Sequence, residues 1–145
     1  MGTKLRTASW VLLAIVGVFT LLISFVSAYL AYQGDYPIGG APVADVAAGR
    51  PDILTALRGI RGTSAAYGAG FAVLFLATVF GPYRRGETGA WWALLFAAVV
   101  IVLITVARVP LLGIPFGSGG SGPAATQGAV ILFALLLDVG RLRGR

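Results

Sequence analysis

From Ala8 to Tyr32 no charged residue interrupts a run dominated by Val, Leu, Ile, Phe and Ala. Three further predominantly apolar runs follow, at 62–81, 89–108 and 123–140. About twenty apolar residues rising 1.5 Å each cover about 30 Å of hydrocarbon, so each run is of spanning length. The pattern predicts an all-α membrane protein, a four-transmembrane-helix bundle formed by a single domain over 1–145.

The boundaries carry their own signals. Trp10 opens the first run, Tyr29 and Tyr32 close it, and Trp91 and Trp92 open the third, as aromatic belts at the two interfaces require. Pro82, followed by Arg84 and Arg85, stops the second. Pro123 suits the first turn of the fourth and Gly140 its end.

Between the first two runs the pattern changes. Residues 33–51 are rich in Gly and Pro and read as a loop on the outer face. In 52–61, Ile53, Leu54, Leu57 and Ile60 make one apolar stripe, with Arg58 and Arg61 off it. A short outer interfacial helix over 52–61, running into the second span, is therefore expected, with a bend permitted at Gly59 and Gly62. The segment 109–122 is expected to be a loop whose Leu111, Leu112, Ile114 and Phe116 dip into the interface or cover the mouth of the bundle. Its "SGGSG" has the composition of a flexible linker.

Composition agrees with lipid as the main solvent. The chain is 58% hydrophobic and 11% charged, with mean hydropathy +0.91, whereas soluble domains carry about a quarter charged residues. The net charge of +6 does not point to nucleic acid, because the basic residues sit at the ends of apolar runs rather than along one solvated face. They set direction instead. Lys4, Arg6, Arg84, Arg85, Arg141, Arg143 and Arg145 share one side of the predicted bundle. Arg50, Arg58, Arg61 and Arg108 share the other, offset by Asp35, Asp45 and Asp52. The bias toward internal positive charge puts both termini in the cytoplasm and the protein in a plasma (inner) membrane. Ten of the eleven basic residues are Arg, which fits a GC-rich bacterial genome. A competing reading is a signal peptide cleaved after Ala28, which would leave three helices.

The chemistry available is narrow. The chain has no Cys and no His, and only Asp35, Asp45, Asp52, Glu87 and Asp138 as carboxylates. Thiol redox chemistry, imidazole catalysis and most metal sites need residues that are missing, so no catalytic residue, metal or cofactor is expected. A small multidrug transporter would need an acid in its first span, and a retinal protein a lysine within one; neither is present.

Two groups of residues invite a role. In lipid, helices associate through close packing of small residues. Gly62, Ala66 and Gly70 recur every four positions in the second span. Ala14, Gly17, Leu21, Ser24, Ala28 and Ala31 alternate by three and four in the first. These faces either close the bundle or dock a partner subunit or second copy. The second group is Arg58, Arg61, Arg108, Asp35, Tyr67 and Gln127, expected at one outer depth. They either anchor the helices, with Arg58, Arg61 and Arg108 snorkelling to the headgroups or paired to Asp35, Asp45 and Asp52, or hold a lipid or quinone-like head through the planar guanidinium fork. Asp138, the one acid inside a span, is expected to pair with Arg141 at i,i+3.

The stretches "LRGIRG" before a Gly/Ala-rich span, "YRRGETGAWWALL" and "ARVPLLG" make residues 57–142 resemble the small DoxX-like four-helix membrane proteins. That resemblance implies a compact four-helix bundle associated with membrane redox or lipid-linked systems, and brings no catalytic residue with it. The expectation is a non-catalytic accessory or assembly subunit of a membrane complex that acts by helix packing. The alternative is a binding protein or carrier for a lipid or quinone-like amphiphile at the outer arginines.

Overall fold

A computed structural model describes residues 2–38, 40–113 and 121–143. It is predominantly helical: α1 (Gly2–Gln33), a two-stranded hairpin of β1 (Pro37–Ile38) and β2 (Ala41–Pro42), α2 (Val43–Val46), α3 (Pro51–Thr78), α4 (Thr88–Leu112) and α5 (Ser121–Leu137). Three helices are long and apolar enough to cross a membrane, within Lys4–Gln33, Pro51–Tyr83 and Thr88–Leu111. The fourth expected span forms a helix of 17 residues, about 25 Å long and short of the usual hydrocarbon thickness.

Several expected boundaries are corrected. No separate outer helix forms at 52–61: α3 is continuous from Pro51 to Thr78, without a break at Gly59 or Gly62. Glycine removes a steric barrier to bending but imposes no bend. The loop 33–51 contains the hairpin and α2. The third helix runs past Arg108 and through Pro110, ending at Gly113, whose φ of 63° gives the left-handed cap that glycine accepts at no steric cost. Pro110 lies inside the last turn of this helix, where it removes the bond its N–H would make to the Val106 carbonyl. Ile114 and Phe116 lie outside the described residues. The fourth helix stops at Leu137 rather than near Gly140, because the chain tightens to i→i+3 bonding over Val139–Arg143.

Pro82 kinks the chain rather than ending it. Without an N–H, and with its ring against the preceding turn, it cannot continue an α-helix. The result is a π-type turn over Val79–Tyr83 with Gly81 at φ −89°, ψ −106°.

The chain divides into two compact units, Met1–Gly17 with Leu74–Arg145, and Val18–Val73. In the first, α4 and α5 pack closely. Gly128 admits this approach, since a Cβ there would stand 2.5 Å from Val102 Cγ2. Gly17 plays the same part for α1, where a Cβ would fall 2.5 Å from Leu76 Cδ2. The core holds Leu13, Phe75, Val79, Tyr83, Trp91, Leu94, Ile131 and Leu135. In the second unit the Tyr32 ring lies over Gly62, and Ser24 Oγ lies over Gly68. Tyr36 is buried there and donates to the Leu57 carbonyl at 3.0 Å.

Candidate functional site

Helix ends leave carbonyls without partners, and in an apolar setting each one must find a donor. At the end of α5, the Ala134 carbonyl accepts from Ser9 Oγ at 2.7 Å and the Leu135 carbonyl accepts from Trp91 Nε1 at 3.1 Å. Ser9 is fully buried and lies 2.6 Å from the equally buried Tyr83 hydroxyl. A serine hydroxyl has one proton, and the Ala134 carbonyl takes it, so Tyr83 is the donor to Ser9.

The same end of this unit carries charge. Asp138 and Arg141 form the expected i,i+3 ion pair, each side chain 8% exposed. The Arg141 guanidinium also stacks on the Tyr83 ring, 4.2 Å from its centroid. Nη2 of Arg141 makes that pair with Asp138 Oδ2, whereas Nε and Nη1 have no hydrogen-bond acceptor. Arg84 stacks on Trp10 at 5.0 Å, Trp10 meets Phe80 edge-on, and Arg6 donates to the Arg84 carbonyl at 3.1 Å. Arg85 pairs with Glu87. A cavity of about 580 Å³ opens here, lined by Arg6, Asp138, Arg141 and the apolar Leu5, Leu136, Leu137 and Val139. Ser9 and Tyr83 carried no signal in the sequence, since isolated hydroxyls are ordinary in apolar runs and their partners lie far along the chain.

The outer-arginine group is placed differently from expectation. In the second unit Arg61 stacks on Tyr36 at 4.0 Å and donates to Ser27 Oγ at 3.2 Å. Arg58 reaches the Gly34 carbonyl at 3.4 Å, with its Nε buried and unpaired. Asp35 is exposed, lining a shallow hollow with Tyr36, Pro37, Gly40 and Pro42, and Tyr67 is 77% exposed. Among the described residues neither Asp35 nor Asp45 pairs with these arginines, and Asp52 pairs with Arg50 at 2.8 Å. One backbone carbonyl, a hydroxyl and a ring, rather than carboxylates, meet Arg58 and Arg61. Arg108 and Gln127 belong to the first unit, half-buried, and each has a partner.

The packing residues divide as well. Gly17, Gly62 and Ser24 are buried and Ala28 half-buried, but Ala66 and Gly70 are exposed. The expected Gly62–Ala66–Gly70 stripe drifts about 80° around the helix in eight residues. The face that packs is Gly62, Ala65, Ala69 and Ala72, spaced by three and four, with Ala69 half-buried and the rest buried. No family model, no curated protein and no solved structure matches the chain.

Proposed function

We propose that this is a non-catalytic integral membrane protein, an accessory or assembly subunit that works by packing α3 against a helix of another subunit or of a second copy. The observation that carries the reading is a second small-residue face on α3. Gly59, Thr63, Ala66 and Gly70 recur by four, three and four, fall within about 60° on the helical wheel, and are all exposed. A Cβ at Gly59 or Gly70 would meet nothing within 4 Å. The exposed face of α1 contrasts with it, offering Phe19, Leu22, Ile23, Phe25 and Val26. Large apolar side chains suit lipid, whereas small ones let a second backbone approach closely.

On this reading α1, α3, α4 and the shorter α5 each cross an inner bacterial membrane, with both termini in the cytoplasm. The loop containing the hairpin and α2 then faces outward. The DoxX-like resemblance of 57–142 is in keeping with that arrangement. The outer arginines act as anchors, because Arg58 and Arg61 turn toward groups of their own chain.

Mass spectrometry of the intact particle, purified in mild detergent, tests this function. A fixed stoichiometry with another subunit or a second copy, lost in Gly70→Leu, is the expected result. A monodisperse monomer from both wild type and variant overturns it.

A further inference from the structure

We propose that the cavity between the start of α1 and the end of α5 binds the phosphodiester head of one anionic phospholipid, held by Arg6 and Arg141. The inference rests on the chain's place in a bilayer and not on the docking of α3.

Arg141 is nine-tenths buried and its Nη2 is paired with Asp138, yet Nε and Nη1 have no hydrogen-bond acceptor, while the side chain forms part of the cavity wall. A buried donor left unpaired is unfavourable, and a guanidinium fork matches the paired oxygens of a phosphate. Arg6 lines the same cavity and is exposed, with one Nη on the Arg84 carbonyl. Among the lining residues two arginines face one aspartate, a net charge of +1, so an anion is favoured over a zwitterion or a cation.

The rest of the lining names the remainder of the ligand. Leu5, Leu136, Leu137 and Val139 give an apolar wall suited to the first methylenes of an acyl chain. A free inorganic phosphate would leave that wall wet. Trp10, Trp91 and Trp92 lie in the same unit, at the start of α1 and of α4, where tryptophan marks the headgroup level. Basic pockets between helices at this depth suit anionic heads. The two guanidinium groups supply charge and direction, and the leucines supply the preference for a lipid.

The test is native mass spectrometry of the full chain in detergent, with phosphatidylglycerol, phosphatidylcholine of the same acyl chains, and inorganic phosphate as separate probes. One phosphatidylglycerol retained per chain, about tenfold over phosphatidylcholine, is expected. Arg6→Gln should cut retention about tenfold, and Arg85→Gln, whose guanidinium is tied to Glu87 away from the cavity, should leave it unchanged. Arg141→Lys keeps the charge but loses the fork and should also weaken retention. If that buried change prevents folding, the exposed Arg6 variant still decides. Equal retention of both lipids, or equal effects of Arg6→Gln and Arg85→Gln, overturns the proposal. Retention of inorganic phosphate without lipid assigns the arginines to a free anion and overturns it too.

Discussion

Ser9 and Tyr83 share a hydrogen bond of 2.6 Å across 74 residues of chain. With the Ala134 carbonyl as a third member, this contact ties the first turns of α1 and the kink after α3 to the end of α5. Because Tyr83 donates to Ser9 and Ser9 donates to Ala134, the two hydroxyls are not equivalent.

Ser9→Ala strands both the Tyr83 hydroxyl and the Ala134 carbonyl, and should destabilise by about 1–3 kcal/mol. Tyr83→Phe leaves the Ser9–Ala134 bond intact and should cost about 0.5–1.5 kcal/mol. Thermal unfolding in detergent, read by circular dichroism, checks the order. An equal loss from the two variants would contradict the assigned direction of the bonds.

Asp138 and Arg141 make the second prediction. Removing one member of a buried pair leaves a charge uncompensated, at about 3–5 kcal/mol, whereas replacing both with apolar residues is often close to neutral. Asp138→Leu should therefore unfold at a lower temperature than the double variant Asp138→Leu, Arg141→Leu. The opposite ranking would mean that the pair is solvated.

Two glycines separate internal packing from an outward face. Gly17→Ala places a methyl 2.5 Å from Leu76 Cδ2 and 3.1 Å from Phe75 Cδ1, an overpacking cost of about 1–3 kcal/mol. Gly70→Ala meets nothing and should be neutral or stabilising, by up to about 1 kcal/mol from helix propensity. Melting temperatures of the two purified variants give the comparison.

Arg61 tests whether Arg58 and Arg61 anchor or bind. Its stacking on Tyr36 and its bond to Ser27 need a planar guanidinium, so Arg61→Lys should cost about 1 kcal/mol. Lipid retained at the Arg6–Arg141 cavity should be unaffected by Arg61→Ala. Loss of that lipid would place a ligand at Arg58 and Arg61 after all.

Much of this fold is legible in the sequence because lipid imposes simple demands. Uninterrupted apolar runs disclose α1, α3 and α4, and the glycine and proline cluster locates the loop after Gln33. What stays hidden depends on geometry that composition does not encode. A four-residue spacing joins Gly62 to Ala66 and Gly70, yet the helix turns 100° per residue and carries them onto different faces. Pro82 reads as a stop, but the chain passes through a π turn that buries Tyr83. Arg58 and Arg61 look like free cations because carbonyl and ring partners leave no charge signature. The i,i+3 spacing of Asp138 and Arg141 does announce their pair, since both members lie within one turn.

The chain contains no Cys, so a single introduced thiol reports on its own surroundings. Oxidative or bifunctional crosslinking in native membranes of Gly70→Cys, beside Leu22→Cys on the large-residue face of α1, tests the packing role of α3 most directly. A discrete crosslinked species of fixed mass from position 70, and none from position 22, is the predicted result. Equal or absent crosslinking at the two positions would contradict it.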